Sequence, residues 1–446
     1  MKYLNYLILL SALLLLQSCE EDNLVPFELN KVSSYKSDVA IDWINLQRNL
    51  VKSTAGFTPP VAARSYAYAA LALYESVVPG IRGNISYSGL IIGYTGQGIP
   101  SLEKDKNYNW EIVANASMAY MLRNQFKTTS IANLDLINQM EQNYLSKNSS
   151  DDTTLINRSV TFGKTVADVI YNFSKTDNQD EAYKTNFPDY TIPNDPWKWE
   201  PTSPSNPKPL QPFWGSVRTF LAVNAVDVLI QSFPPLTYSV DSKSLFYLQA
   251  FETYITSINL NDEQTTIAKF WSDDPGLTST PPGHSMSIAG QAIKNENKDL
   301  AFAAEVYSKV GMAVHDAFVC CWKAKYIYNL VRPVTYIKKY IDANYSTLLN
   351  TPPFPEHTSG HSVQTSASMA VLESFFGYNY AITDHTNDDR TDITLAPRSF
   401  NSFAGITNEA AISRLYGGIH YRQAIEGGKF QGALIGNNIA SLSLKN

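Results

Sequence analysis

The sequence predicts an all-α protein on two observations: apolar residues recur at three- and four-residue intervals along most of the chain, and strand-like alternation is scarce. The first such stretch is DVAIDWINLQRNLVKS over 38–53. Pro59-Pro60 then opens VAARSYAYAALALYESVV over 61–78, the prolines standing in the first turn, where their missing N–H groups cost nothing. Further helices are predicted near 107–126, 130–147, 151–175, 242–258, 285–330, 360–376, 407–416 and 422–443.

Between the fifth and sixth of these lies NFPDYTIPNDPWKWEPTSPSNPKPLQPF. It is too rich in proline for a helix and too aromatic for a disordered linker, so it is expected to be an ordered surface loop. It divides an N-terminal helical half (38–185) from a C-terminal half (217–446), with residues 186–216 as the connection.

Composition limits what these halves can do. The chain has 446 residues, is 44% hydrophobic and 17% charged, and carries a formal net charge of −6. That is enough apolar material for large cores, whereas the acidic balance and the absence of Lys/Arg runs argue against a nucleic-acid partner. Any anion site must therefore be local.

The start of the chain reads differently. MKYLNYLILLSALLLLQSC has Lys2 followed by an apolar run from Leu7 to Leu16, too short to span a bilayer, so residues 1–18 are expected to be a signal peptide. Ser18 before Cys19 resembles a bacterial lipobox, and Glu20-Glu21-Asp22 begins a polar tether over 19–37. Lipidation at Cys19 would anchor an exported protein in the periplasm or on the outer membrane or cell surface. No other membrane contact is expected. Cys320 and Cys321 are adjacent in an apolar helical run, where disulfide geometry is out of reach, and are read as core residues.

Chemistry-bearing residues cluster in three pieces of the second half. In KAKYIYNLVRP, Lys325 and Arg332 stand seven apart, which on a continuous helix would put both cations on one face before Pro333 ends it. In FPEHTSGHSVQTS, Pro352, Pro353 and Pro355 precede Ser359-Gly360, which lead into an apolar helix. A helix N-terminus offers free N–H groups and a favourable dipole to an oxyanion; Gly360 permits close approach, Ser359 can donate, and His361 stands at the rim. His357, before the turn, need not face the same way. In SRLYGGIHYRQAIEGG, Gly417-Gly418 ends a helix between Arg414 and His420, so a turn can bring the histidine back toward the arginine. Together these pieces supply three cations, a helix N-terminus and two histidines, one to bond a central atom and one to move protons.

Lys-x6-Arg-Pro, Ser-Gly-His and Ser-Arg-x5-His in this order resemble the three-part signature of the superfamily of vanadium-dependent haloperoxidases and type 2 phosphatidic-acid phosphatases. The usual proline before Ser-Gly-His is Thr358 here. PPVAARSYAYAALALYE (59–75), FWSDDPGLTSTPPGH (270–284) and the 310–340 helix also resemble bacterial vanadium haloperoxidases. The resemblance implies two related four-helix bundles of the vanadium chloroperoxidase type and one vanadate per chain in the second. It implies that His420 bonds vanadium, that Lys325, Arg332, Ser359, Gly360 and Arg414 bind vanadate oxygens, and that His361 is the acid/base group. Asp274 corresponds to the carboxylate that orients Arg414, and Trp322 and Phe354 fall where haloperoxidases place large side chains near the halide.

Three functions fit this pocket. The first is a haloperoxidase that oxidises a halide, iodide being favoured, with hydrogen peroxide, with or without a small organic acceptor. The second is an acid phosphatase of the same superfamily acting through a phosphohistidine. The third is a non-catalytic oxyanion-binding lipoprotein, which would have no use for two poised histidines.

Overall fold

The computed structural model describes residues 30–202, 208–226 and 233–445. The signal peptide and the lipidation site at Cys19 lie outside the described residues. Among those described are thirteen α-helices and one two-stranded antiparallel hairpin, β1 (Ile382–Asp384) paired with β2 (Arg398–Phe400). None of these helices is long and apolar enough to cross a membrane.

The first half holds α1 (Asp38–Ser53), α2 (Pro59–Val77), α3 (Trp110–Gln125), α4 (Ile131–Lys147) and α5 (Thr153–Lys175). The second holds α6 (Leu245–Ile258), α7 (Asp262–Phe270), α8 (Thr280–Asn295), α9 (Leu300–Tyr328), α10 (Pro333–Tyr340), α11 (Gly360–Phe376), α12 (Phe403–Tyr416) and α13 (Arg422–Ala440). Side-chain caps start seven of the described helices: Asn109, Ser130, Asp152, Ser244, Asn261, Asp299 and Ser402 each accept a backbone N–H in the first turn of the helix they cap.

The expected helix over 285–330 is two helices. Asn295 to Lys298 is a polar break, and the Asp299 side chain accepts from Phe302 N to start α9 afresh. Helix α7 was not expected, and the helix read over 310–340 is broken after Tyr328, so that the short α10 begins at Pro333.

The halves share one core. Almost every α2 side chain is buried, and α2 packs along α9, where a Cβ on Gly311 would come within 3.0 Å of the Ala67 Cα. On its other side α9 meets α11, which lies against α13 through Gly428, Gly432 and Gly436. A Cβ on Gly432 would stand 2.1 Å from the Val363 carbonyl oxygen, so only glycine allows this approach. The N-terminus of α11 is thereby clamped between α9 and α13.

The loop over 186–216 is more than a connection. Trp199 N donates to Asn329 O at 2.6 Å, Leu210 N to Pro353 O at 2.8 Å, and the Lys198 ammonium to Tyr328 O at 3.0 Å. The Leu210 carbonyl accepts from both Trp322 Nε1 and the Tyr326 hydroxyl. The loop thus ties down the segments that carry the second half's polar residues.

Candidate active site

Lys325, Arg332, Ser359, Gly360, His361, Arg414 and His420 converge as the sequence predicts, but not all by the expected route. Lys325 and Arg332 do not share a helix face. Helix α9 ends at Tyr328 because Asn329 adopts the left-handed conformation (φ 48°), and Arg332 caps α10 instead. The two cations meet across that turn, held by the extended pairing of Lys198 with Leu330.

Lys325 is wholly buried, and its ammonium donates to the carbonyls of Pro355 and Glu356 at 3.0 Å each and of Thr358 at 2.5 Å. It therefore shapes the turn before α11 as well as charging it. Arg332 donates from Nε to Phe354 O and from Nη1 to Ile419 O, both at 2.8 Å, and its buried Nη2 has no partner. Ser359 is the N-cap of α11, its Oγ accepting from Ser362 N at 3.4 Å. Gly360 leaves open space: an added Cβ would meet only Trp322, at 3.7 Å.

The Gly417-Gly418 turn works as predicted. Gly418 takes φ 74° and the chain doubles back, putting His420 Nε2 3.2 Å from Arg332 Nη1 and Nδ1 2.8 Å from Glu356 Oε1. His361 has a backbone hydrogen bond with Trp271, while its Nε2 is buried and unpartnered. His357 faces away, donating from Nε2 to the Phe233 carbonyl at 2.7 Å.

Asp274 does not pair with Arg414. The guanidinium donates to Ser413 Oγ at 3.0 Å and Ala268 O at 3.2 Å, and the carboxylates reach it only through their fields, Asp273 ahead of Asp274. Asp274 is exposed; the buried carboxylate is Asp273, whose two oxygens lie 3.1 and 3.0 Å from His284 Nδ1. His284 Nε2 meets Asp384 at 2.7 Å, and its ring stacks on Trp271 at 4.5 Å. Burial opposes charge on this ring, but the two carboxylates outweigh it and push the imidazole up to about 10. The charged His284 thus anchors the stretch whose backbone holds His361. Sequence reasoning missed His284 and Glu356, although both stood in quoted motifs, because Asp384 lies 100 residues from His284 and His420 lies 64 residues from Glu356, so neither pairing leaves a local pattern.

Gly360, His361, Arg414 and His420 open onto a cavity of about 770 Å³ walled by Trp322 and Phe354. These rings lie 4.9 Å apart, and Phe354 is flanked by the Lys325 ammonium at 5.0 Å and the Arg332 guanidinium at 4.9 Å.

The electrostatics fit a multiply charged tetrahedral oxyanion such as vanadate. Burial pushes Arg332 and Arg414 each down to about 10 and Lys325 to about 7, so three crowded cations are held against their preference. Burial, then the charges around them, holds both His361 and His420 well below the usual imidazole range. An anion would relieve the cations and use the orphaned Arg332 Nη2 and the N-terminus of α11.

This has a consequence for pH. The free Lys325 ammonium is present below about 7 and lost above it, and a bound anion would retain the proton. Oxyanion affinity should therefore fall as pH rises above about 7, by at most about tenfold per pH unit. Sulfate, a dianion throughout this range, is the appropriate probe; calorimetry showing flat sulfate affinity across the window would contradict this account.

An all-α fold with a buried, cation-lined oxyanion pocket bearing two neutral histidines defines an oxyanion-dependent enzyme class. The model of the VCPO second helical-bundle domain matches residues 305–445. The structure is similar to that of a bacterial vanadium-dependent iodoperoxidase at 33% identity and TM-score 0.83, covering 92% of this chain and 98% of that one. It is also similar to a bacterial vanadium-dependent chloroperoxidase in its holo form, at 16% identity and TM-score 0.65, covering 87% of this chain and 93% of that one, a likeness of fold alone. No curated protein matches. The chain belongs to the vanadium-dependent haloperoxidase family.

Proposed function

We propose that this protein oxidises iodide with hydrogen peroxide and holds one vanadate per chain. The carrying observation is the set of three buried cations around a helix N-terminus, with two neutral histidines turned toward one cavity. Similarity to the iodoperoxidase supports iodide as the halide.

Lys325, Arg332 and Arg414, with Ser359 and the Gly360 backbone, bind the oxyanion's oxygens, and His420 presents Nε2 to the metal. Vanadate, when bound, supplies a Lewis-acidic centre that activates peroxide toward a halide. His361 accepts a proton at its free Nε2, its depressed basicity keeping the ring neutral and ready. Trp322 and Phe354 form an apolar wall that excludes water, which favours the weakly hydrated iodide and strengthens the surrounding charges.

Protein stripped of oxyanions should gain peroxide-dependent iodide oxidation when vanadate is added, and phosphate should suppress that gain by competing for the same cations. Activity that appears without vanadate and survives chelation and phosphate washing would refute the cofactor. A phosphate-ester assay on the same stripped sample tests the phosphatase chemistry.

A further inference from the structure

The contacts of His420 specify where its proton resides. An arginine can only donate, so the Arg332 Nη1 at 3.2 Å requires a lone pair on Nε2. Glu356 Oε1, 2.8 Å from Nδ1, accepts from it and also takes the Tyr421 N–H at 2.9 Å. Both neighbours select the same tautomer. We propose that Glu356 is a positioning residue of the site: by accepting the hydrogen bond of Nδ1–H it fixes the His420 ring and keeps Nε2 unprotonated, as binding a metal requires.

This rests on the proposed function, and the backbone supports it independently. Glu356 is wholly buried, its N–H bonds Leu330 O at 3.0 Å, and its carbonyl accepts from Lys325. The side chain is thus aimed from a segment held on both sides. Only one carboxylate oxygen is used; Oε2 has no partner. Burying a carboxylate half-satisfied does nothing for folding, but it suits a metal-binding histidine, whose second ring nitrogen is commonly held by an acceptor of this kind.

The test compares native protein with Glu356→Gln and Glu356→Ala, using histidine labelled with ¹⁵N and vanadate as titrant. Without oxyanion, native His420 should show a protonated Nδ1 and bare Nε2. Glu356→Gln, whose amide oxygen can still accept, should keep that tautomer and stay within a few-fold of native vanadate affinity. Glu356→Ala should shift the proton toward Nε2 and weaken vanadate binding ~10–100-fold. Circular dichroism identifies a variant that fails to fold, and Glu356→Gln then decides the matter. The proposal is overturned if native His420 carries its proton on Nε2, or if Glu356→Ala alters neither tautomer nor affinity. Should native protein fail to bind vanadate, the function proposed above is wrong, while the tautomer measurement on the empty site still judges Glu356.

Discussion

His420→Ala should yield a folded protein that no longer retains vanadate. The ring is placed by the Gly417-Gly418 turn and oriented through Nδ1, and it lines the cavity, so truncation removes the side chain to which the proposed function gives the bond to the metal. Changing groups that only support a metal ligand typically costs 10–100-fold in affinity, so loss of the ligand itself should exceed ~100-fold. The cations remain, and plain electrostatic attraction with them: sulfate binding should fall far less than vanadate binding. Equilibrium dialysis with each anion separates the two contributions, and vanadate held as tightly as by native protein would remove His420 from the metal.

His361→Ala should do the reverse, lowering turnover by ~10²–10⁴-fold while vanadate binding changes much less than in His420→Ala. Helix α11 delivers His361 in its first turn, Trp271 engages one side of the ring by its backbone, and Nε2 has no protein partner. A group so arranged suits the proton transfer proposed for it, and an oxyanion would keep its cations and the α11 N-terminus without it. Rates measured on vanadate-saturated enzyme isolate the effect. Equal losses of vanadate binding in the two variants would overturn this division of roles.

How far these roles could be read from residues depended on the range of the interactions behind them. The α11 N-terminus and the Gly417-Gly418 turn were legible because capping, glycine conformations and hydrophobic period act within a few residues. Lys325 and Arg332 come together by a route other than the shared helix face expected: a left-handed Asn329 ends the helix, and the connecting loop aligns Leu330 and Val331 beyond it. Placement of His357 away from the cavity was anticipated, since it precedes the turn that aims His361. Asp274 acts on Arg414 through its field without a hydrogen bond, and its neighbour Asp273 acts more strongly, because which of two adjacent carboxylates is buried is a property of the packed molecule. Glu356 and His284 were opaque for the same reason: a buried charge is identified by its partners, and His420 and Asp384 are remote in sequence from them.

The adjacent cysteines of α9 bear on how long such an enzyme can work. A haloperoxidase releases an electrophilic halogen oxidant, and a protein's first casualty is ordinarily an accessible thiolate, the nucleophilic form of cysteine. Cys320 and Cys321 are 0% and 1% exposed, and burial drives both thiols toward their protonated form. Cys321 lies directly behind the site, its sulfur 3.5 Å from the Thr358 carbonyl. Damage there requires the helix to open and the thiol to ionise together, so these two thiols are shielded from an oxidant made in the cavity beside them.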